Sequence, residues 1–297
     1  MEPSIIVHGG GWSIPRHRHR PHLEGCRAAA EVGFDALLGS GSPADAVEGA
    51  VRHMEDDATF DAGRGSFLTR EGEVEMDAMI MRGDLSMGAV ASVSCIAHPI
   101  TLARRIMEDS EHCMLVSTGA LDFARERGMP TVTTRSLLTE RERERWMERD
   151  DDPGTVFRRR GTVGAVAIGP EGSICAATST GGTPNKAKGR VGDSALVGCG
   201  TCADERSAGV SATGWGESLM RVTMARRVCE HVERGKGAME ACRDSVDELS
   251  SLVNGIGGVI AIDHRGEVGC AHNTEYMAMG VRTPEGTRAM ISQDSRS

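Results

Sequence analysis

The sequence predicts a mixed α+β protein in which helices cover β-sheets. Two kinds of pattern in the 297-residue chain support this prediction. Short apolar or alternating runs typical of strands occur in both halves, and longer stretches with apolar residues at helical spacing lie between them. With 39% hydrophobic and 26% charged residues, the composition is that of an ordinary folded protein with a sizeable core.

The first strand is predicted at residues 4–8, an apolar run that the next three glycines are expected to end. A polar loop with three histidines follows, and then a helix over about 23–38. A second helix is predicted to begin at Ser42, because a serine N-cap, Pro43 in the first turn and the acidic Asp45 form a typical helix start.

The later elements continue this mixture, and the alternating runs among them favour antiparallel pairing. The predicted strands are residues 73–81, 88–95, 113–117, 161–168, 173–179, 195–200, 208–213, 257–263 and 267–272, and the predicted helices open at Pro99 and cover about 217–234 and 238–254.

A charged segment separates the two halves of the chain. Residues 139–160 are dominated by charged side chains, with Glu and Arg alternating over 140–145. Alternation of opposite charges supports an exposed helix. We therefore predict that this helix frays into a mobile charged linker over about 140–161.

Charge and composition argue against two classes of partner. Acidic residues outnumber Lys plus Arg by 43 to 34, and only 3% of residues are aromatic. Nucleic acids and anionic membrane surfaces attract basic patches, and single-stranded nucleic acids also need aromatic stacking platforms. We therefore expect neither nucleic acid nor membrane as a partner.

The cysteines and the absence of targeting patterns indicate a cytoplasmic protein. Nine cysteines, an odd number, are typical of reduced core thiols and not of a disulfide framework. Cys199 and Cys202 have C-x-x-C spacing, but no second pair completes a zinc site. We interpret them as small buried residues, with a redox role as the alternative. No segment has the pattern of a signal peptide or a transmembrane helix.

The common nucleophile and nucleotide motifs do not account for the chain. Residues 8–11 read HGGG, which matches the oxyanion loop of lipases and esterases, but no G-x-S-x-G elbow supplies a nucleophile. There is also no P-loop, no H-E-x-x-H and no strand-to-helix G-x-G-x-x-G.

A different nucleophile stands at the start of the second half. Thr162 follows Gly161, opens a predicted strand and comes directly after the charged segment. Cleavage between the two residues would give Thr162 a free α-amine next to its own hydroxyl. Such an amine has a pKa of about 7.7–8.0, so part of it is neutral near pH 7 and can act as a base. The alternative is an ordinary threonine at the start of a strand.

Five motifs in order favour the nucleophile. Together they closely resemble the isoaspartyl peptidase/L-asparaginase family, the plant-type asparaginases among the N-terminal nucleophile hydrolases, and the resemblance runs from about Ile5 to Met279. The motifs are HGGG at 8–11, FDAGRGS at 60–66, TSTGG at 178–182, GRVGDS at 189–194 and SATGWGE at 211–217.

The resemblance implies a single four-layer αββα sandwich over residues 1–297, the N-terminal nucleophile hydrolase fold. It implies a precursor that cleaves itself into an α chain, 1–161, and a β chain, 162–297, which stay together. Thr162 would attack a side-chain amide or isopeptide carbonyl to form an acyl-enzyme that water resolves. No cofactor is implied for catalysis, and the substrate is L-asparagine or a β-aspartyl dipeptide.

The resemblance also implies roles for individual residues. Thr180 matches the residue whose hydroxyl orients the nucleophile, and Thr213 with Gly214 matches the oxyanion hole. Arg190 and Asp193 match the pair that binds the α-carboxylate and α-ammonium of the substrate. These charges suit a zwitterion, because a guanidinium fork binds a carboxylate and a carboxylate binds an ammonium.

Other positions are implied as supporting residues or depart from the family pattern. Gly214 and Gly216 belong to the substrate-binding segment, and Gly10, Gly11 and Asp61 support the site. Asp61 replaces the usual Asn and is expected to add charge near the nucleophile. Trp215 replaces a smaller or polar residue and is expected to narrow the pocket.

An ion and an assembly are also implied. The family has a sodium-binding loop of backbone carbonyls, which would fall between Met54 and Arg64, and we expect no other metal. The resemblance implies a homodimer of cleaved αβ units. Three alternatives remain: a glycosylasparaginase, an Asp-specific endopeptidase of the same fold, or an unprocessed, non-catalytic binding protein.

Overall fold

The computed structural model describes residues 1–148 and 161–293. Strands and helices are numbered here in chain order. The strands are β1 Ser4–Trp12, β2 Met76–Arg82, β3 Met87–Val93, β4 Met114–Val116, β5 Val163–Ile168, β6 Ile174–Thr180, β7 Thr201–Ala203, β8 Ala208–Gly214, β9 Gly257–Asp263, β10 Val268–His272, β11 Tyr276–Thr283 and β12 Gly286–Gln293. The helices are α1 Arg16–Ser40, α2 Pro43–Asp56, α3 Pro99–Asp109, α4 Ser117–Glu126, α5 Thr134–Leu137, α6 Glu140–Met147, α7 Gly216–Val222, α8 Met224–Glu233 and α9 Ala238–Val253.

The strands form two sheets. The larger sheet has the order β12-β11-β1-β5-β6-β2-β3-β4, and the smaller has the order β10-β9-β8-β7. All neighbouring strands are antiparallel except β3 and β4. Antiparallel neighbours β5 and β6 therefore bring the start of one strand beside the end of the other.

The two sheets pack face to face, and helices cover both outer faces. Side chains such as Ile6, Val166 and Ile260 form an apolar layer between the sheets. Residues of α1, α2 and α3 pack on the outside of the large sheet, and those of α8 and α9 on the outside of the small one. This arrangement confirms the predicted four-layer αββα sandwich.

A polar contact also joins the sheets. His8 of β1 hydrogen-bonds through Nε2 to Ser211 Oγ of β8 at 2.9 Å, and Ser211 Oγ contacts Thr178 Oγ1 of β6 at 2.7 Å. Thr201 of β7 donates to the same Thr178 oxygen at 2.6 Å. Burial lowers the pKa of His8 to about 3, so its ring is neutral. An ideal Cβ on Gly164 would lie 2.0 Å from Ser211 Oγ, so the sheets approach closely because that residue is glycine.

Several predicted elements agree with the structure. The predicted strand 257–263 coincides with β9, and the predicted helix 238–254 differs from α9 by one residue. The N-cap of α2 is confirmed, because Ser42 Oγ accepts a hydrogen bond from Asp45 N–H at 3.4 Å. Pro99 begins α3 as expected.

The prediction of a polar loop with three histidines is wrong, because His17, His19 and His22 all lie on α1. His22 is buried, and its ring contacts those of Trp12 and Phe60 at centroid distances of 5.9 and 5.5 Å. Tertiary packing therefore stabilises the polar start of α1. The spacing of apolar residues did not indicate that the helix begins there.

The glycines do not end the first strand. β1 continues to Trp12, with a register shift between His8 and Gly11. Gly10 has φ +95° at this irregularity, a conformation that favours glycine.

Two other predictions differ from the structure, and one hairpin was missed. Residues 195–200 are not a strand, because Asp193 O accepts hydrogen bonds from Leu196 N–H and Gly200 N–H and holds the chain in a turn. The predicted helix 217–234 is divided into α7 and α8 at Thr223, whose φ is +50°. The hairpin of β11 and β12 was not predicted, and β11 pairs with β1 through long-range contacts.

The start of the charged segment packs against the body of the protein. Thr139 caps α6 by accepting a hydrogen bond from Glu142 N–H at 3.3 Å. Glu142 is buried and pairs with Arg141 and Arg145, and Trp146 Nε1 donates to Thr69 O at 2.9 Å. The rest of the predicted linker, residues 149–160, lies outside the described residues.

Within the described parts of the chain, no helix is long and apolar enough to cross a membrane.

The layer between the sheets gives a stability prediction. Ile260 is 0% exposed, so Ile260→Ala leaves a cavity and is expected to reduce the free energy of unfolding by about 2–5 kcal/mol. Urea denaturation followed by circular dichroism measures the loss. Leu252→Ala is the control, because Leu252 is 59% exposed on α9 and its truncation should cost little. Equal effects of the two variants would contradict this account of the core.

Candidate active site

The predicted nucleophile lies where β5 begins and β6 ends. Thr162 directly precedes β5, Thr180 is the last residue of β6, and the pairing of Val163 with Ser179 aligns them. Thr162 Oγ1 donates a hydrogen bond to Thr180 Oγ1 at 3.1 Å, and both residues are buried. Gly182 N–H also donates to Thr180 Oγ1, at 3.0 Å. The Thr162 hydroxyl is thus directed at Thr180 Oγ1.

The predicted oxyanion residues lie at the end of β8 in the other sheet. Gly11 N–H donates to Thr213 Oγ1 at 3.2 Å, which connects the glycine segment of β1 to β8. Gly214 has φ +142°, and an ideal Cβ there would lie 2.4 Å from Gly257 Cα. Only glycine fits at Gly214, because both the conformation and the backbone contact exclude a side chain.

The pairing of strands brings these groups to one edge of the sandwich. His8 of β1 pairs with Gly164 of β5 in antiparallel register, so the segment that follows His8 runs beside the residues that precede Gly164. Gly11 in that segment contacts Thr213. Thr162 and Thr180 thus lie at strand ends near those of Thr213 and Gly214.

Asp61 contacts the residue before the nucleophile. Its N–H donates to Gly161 O at 3.4 Å, and an ideal Cβ on Gly161 would lie 2.6 Å from Asp61 Cβ. Asp61 Oδ1 accepts from Phe67 N–H at 2.8 Å. Burial raises the pKa of the Asp61 carboxyl well above its usual range, while Lys186 opposes the shift. Burial thus disfavours the charge that the sequence predicts at Asp61, and the charge of Lys186 favours it.

Arg190 and Asp193 both lie beside Gly216. An ideal Cβ on Gly216 would be 2.8 Å from both Arg190 Nη2 and Asp193 Oδ1. Asp193 is buried, and its Oδ2 has no hydrogen-bond partner among the residues described. Burial raises the pKa of Asp193 to about 7, while the Arg190 charge opposes the rise. A side chain at position 216 would therefore collide with both charged groups.

Two acidic residues that the sequence reasoning missed hold the Arg190 loop. Asp77 Oδ2 accepts from Gly192 N–H at 3.0 Å, and Glu75 Oε2 accepts from Gly189 N–H at 2.8 Å. Asp77 follows Glu75 by two residues, so their side chains are on the same side of an extended chain. The sequence signal that could have identified Glu75 and Asp77 is the presence of two acidic residues within a run of methionines and alanines.

Lys186 was also missed, although it is one of only three lysines in the chain. It is buried, and its Nζ donates to Gly181 O at 2.9 Å and to Glu75 O. Burial lowers the pKa of Lys186, and neighbouring carboxylates oppose the shift. Lys186 therefore holds the turn that follows Thr180.

The predicted sodium loop, residues 54–64, surrounds the end of α2. Glu55 O accepts from Arg64 N–H at 2.7 Å, and Asp57 O accepts from Phe60 N–H at 3.1 Å, so some of its carbonyls are already engaged. Among the described residues, no group of three or more His, Cys, Asp or Glu side chains is arranged to hold a metal ion. The sodium ion stays a prediction.

The cysteines are free thiols. Cys199 and Cys202 are both buried. The Cys229 thiol of α8 lowers the pKa of Cys202, and Cys229 Sγ itself donates to Ala208 O at 3.5 Å.

The comparisons with known proteins agree with this geometry. The family described as Asparaginase matches residues 1–291. The chain belongs to the asparaginase family. It is 48% identical to the isoaspartyl peptidase/L-asparaginase of Bos taurus, over 90% of this chain and 89% of the relative. Identity to the Homo sapiens protein of the same name is 46%, over 90% and 89%, and to that of Xenopus laevis 44%, over 94% and 91%.

Membership of the asparaginase family confirms the predicted fold and enzyme class. The chain is a hydrolase with the N-terminal nucleophile hydrolase fold. Enzymes of the asparaginase family need no cofactor for catalysis. The roles of the individual site residues, and the cleavage before Thr162, stay predictions.

Gly214 gives a prediction for the oxyanion segment. Gly214→Ala forces a Cβ against Gly257 Cα and strains the backbone, so we expect the free energy of unfolding to fall by about 2 kcal/mol or more. Gly39→Ala is the matched control, because it adds a Cβ on α1 with no heavy atom within 4 Å. Chemical denaturation measures both variants, and a Gly214→Ala protein as stable as Gly39→Ala would contradict the packing described.

Proposed function

We propose that this chain is a self-processing threonine amidohydrolase. It hydrolyses the side-chain amide of L-asparagine and the isopeptide bond of β-aspartyl dipeptides. The observation that carries the proposal is the buried hydrogen bond from Thr162 Oγ1 to Thr180 Oγ1, directly after Gly161. The names of the curated relatives support the substrate class.

Self-cleavage begins with the Thr162 hydroxyl. Its Oγ1 adds to the carbonyl carbon of Gly161, and the peptide C–N bond breaks as the hydroxyl proton passes to the departing nitrogen. The resulting ester is hydrolysed by water. The products are an α chain that ends in the Gly161 carboxylate and a β chain that begins with the Thr162 amine. That amine is the base for the next reaction, because its pKa is about 7.7–8.0.

Substrate hydrolysis uses the same hydroxyl. Thr162 Oγ1 attacks the side-chain carbonyl of the substrate, the amine leaves, and water resolves the acyl-enzyme. Thr213 Oγ1 accepts from Gly11 N–H, so its own proton is available for the developing oxyanion. Gly214 N–H is the second donor, and one such donor lowers the barrier by about 3–4 kcal/mol.

Substrate recognition rests on charge. Arg190 Nη2 and Asp193 Oδ1 both lie beside Gly216, so a guanidinium and a carboxyl stand close together at one point of the chain. An α-amino acid end group supplies the complementary carboxylate and ammonium. Recognition of a free α-amino acid end group favours asparagine and β-aspartyl dipeptides as substrates over a protein chain, whose α-groups are blocked.

The same-fold alternatives are a glycosylasparaginase and an Asp-specific endopeptidase, and the different-class alternative is an unprocessed binding protein. Parallel assays with L-asparagine, a β-aspartyl dipeptide, glycosylated asparagine and a protein substrate separate the enzymes. Binding without turnover by an uncleaved wild-type chain would favour the last alternative.

The compartment and the assembly are part of the proposal. Nine free cysteines fit a reducing compartment, and we propose the cytoplasm. We also propose a homodimer of cleaved αβ units, on the resemblance to the family. Native mass spectrometry measures this directly, and a single αβ unit at micromolar concentration would contradict it.

Thr162→Ala is expected to abolish self-cleavage and turnover together, because both steps need the same hydroxyl. Denaturing gels and N-terminal sequencing follow cleavage, and ammonia release from L-asparagine follows turnover. Thr131→Ala, which changes an exposed threonine, is the control and should behave as wild type. A wild-type chain that stays single and inactive would contradict the proposal, as would an active Thr162→Ala variant.

Asp193 gives a pH prediction. Its carboxylate binds the substrate ammonium, and its pKa is raised to about 7 by burial, so acidification protonates it and weakens binding. We expect KM to rise as pH falls from 8 to 6, approaching about tenfold per pH unit below the pKa. Asp193→Asn should raise KM at pH 8 and flatten its pH dependence. Steady-state kinetics separates this change in KM from titration of the Thr162 amine, which affects kcat.

A further inference from the structure

Arg190 pairs with Glu217, the last residue of the SATGWGE motif, to which the sequence analysis gave no role. Its Nε and Nη2 both donate to Glu217 Oε1, at 3.0 and 2.9 Å. Arg190 lies in the loop after β6, and Glu217 lies in the first turn of α7. The Arg190 side chain is 16% exposed, whereas that of Glu217 is 46% exposed. The ion pair thus connects the binding loop to the helix that follows the oxyanion residues.

Glu217 binds one edge of the Arg190 guanidinium, and a second edge does not contact it. A guanidinium has five N–H groups in a fixed plane, and Glu217 uses Nε–H and one Nη2–H. The edge formed by Nη1 and the second Nη2–H remains. Two glycines lie close to these nitrogens, because an ideal Cβ on Gly192 would lie 2.8 Å from Nη1 and one on Gly216 would lie 2.8 Å from Nη2. A side chain at either position would collide with the guanidinium.

Asp193 competes with Glu217 for the same guanidinium. Asp193 Oδ1 lies 2.8 Å from the ideal Cβ of Gly216, as does Arg190 Nη2, so the two atoms lie close to the same point beside this glycine. Its Oδ2 has no hydrogen-bond partner among the described residues, and the Arg190 charge already acts on it. Without Glu217, Arg190 is free to turn onto Asp193. Such a pair would neutralise both groups that the substrate needs.

We propose that Glu217 is a positioning residue for substrate binding. It holds Arg190 by its side edge, directs the remaining edge toward the substrate α-carboxylate and keeps Asp193 available for the α-ammonium. The inference rests on the proposed function, because it specifies how the amidohydrolase selects substrates with a free α-amino acid end group. Glu217 contacts Arg190 and not the reacting carbonyl, so its effect is expected in KM and not in kcat.

Kinetics of Glu217→Ala and Glu217→Gln test this role. We expect Glu217→Ala to raise KM for L-asparagine about tenfold or more, the loss that follows from removing a charge-assisted pair, with kcat nearly unchanged. Glu217→Gln keeps an acceptor oxygen and should give a smaller rise. Asparagine α-amide lacks the α-carboxylate, so its KM should change little. A general disturbance of the fold would affect both substrates alike.

Glu233→Ala is the matched control. Glu233 pairs with Arg226 at 2.9 Å on α8, outside the site, and its removal should leave KM and kcat as in wild type. An unchanged KM for L-asparagine in Glu217→Ala would overturn the inference. A fall in kcat with unchanged KM would overturn it as well.

Binding of L-aspartate separates the inference from the proposed function. L-aspartate carries the same α-groups, and calorimetry measures its Kd without turnover. We expect Glu217→Ala to weaken binding about tenfold. A wild-type protein that binds L-aspartate but hydrolyses nothing would contradict the proposed function, while the Kd of the variant would still decide the role of Glu217. Wild-type protein that does not bind L-aspartate would overturn the inference itself.

Discussion

The close contact between the two sheets is the constraint on which the site depends. It combines an apolar layer with a buried hydrogen-bonded contact in which His8 and Thr178 of the large sheet meet Ser211 of the small one. Gly164 permits this approach, since a Cβ there would overlap Ser211. Ser211 precedes Thr213 by two residues, and His8 precedes Gly11 by three. The hydrogen bond between Gly11 and Thr213 therefore forms where the sheets are already held together.

Burial determines the charge state of the groups around the nucleophile. Asp61 and Asp193 are both shielded from water, and burial raises the pKa of each carboxyl. Lys186 and Arg190 oppose these shifts without removing them. The site thus contains acids that are less charged near neutral pH than they would be in water. In the proposed function, the ammonium of the substrate would favour the ionised form of Asp193.

Glycine has two separate functions in this site. At Gly214, it allows a left-handed conformation and close contact with Gly257. At Gly192 and Gly216, the missing Cβ leaves room for the guanidinium of Arg190. The first function concerns the conformation of the backbone, whereas the second concerns the place of one charged side chain. Both explain why glycines are concentrated where the chain reaches the strand ends.

The sequence by itself determined the layers of the fold and most residues of the candidate site. Local signals such as the Ser42 cap and the run that forms β9 depend on neighbouring residues, and the five motifs carry the resemblance to the family. Only the tertiary structure decided that His22 lies on a helix and that Arg190 pairs with Glu217. It also decided that Asp77 holds the Arg190 loop and that Lys186 holds the turn after Thr180. These contacts join residues far apart in the chain. Their burial and charge depend on how the sheets pack, which no local pattern contains.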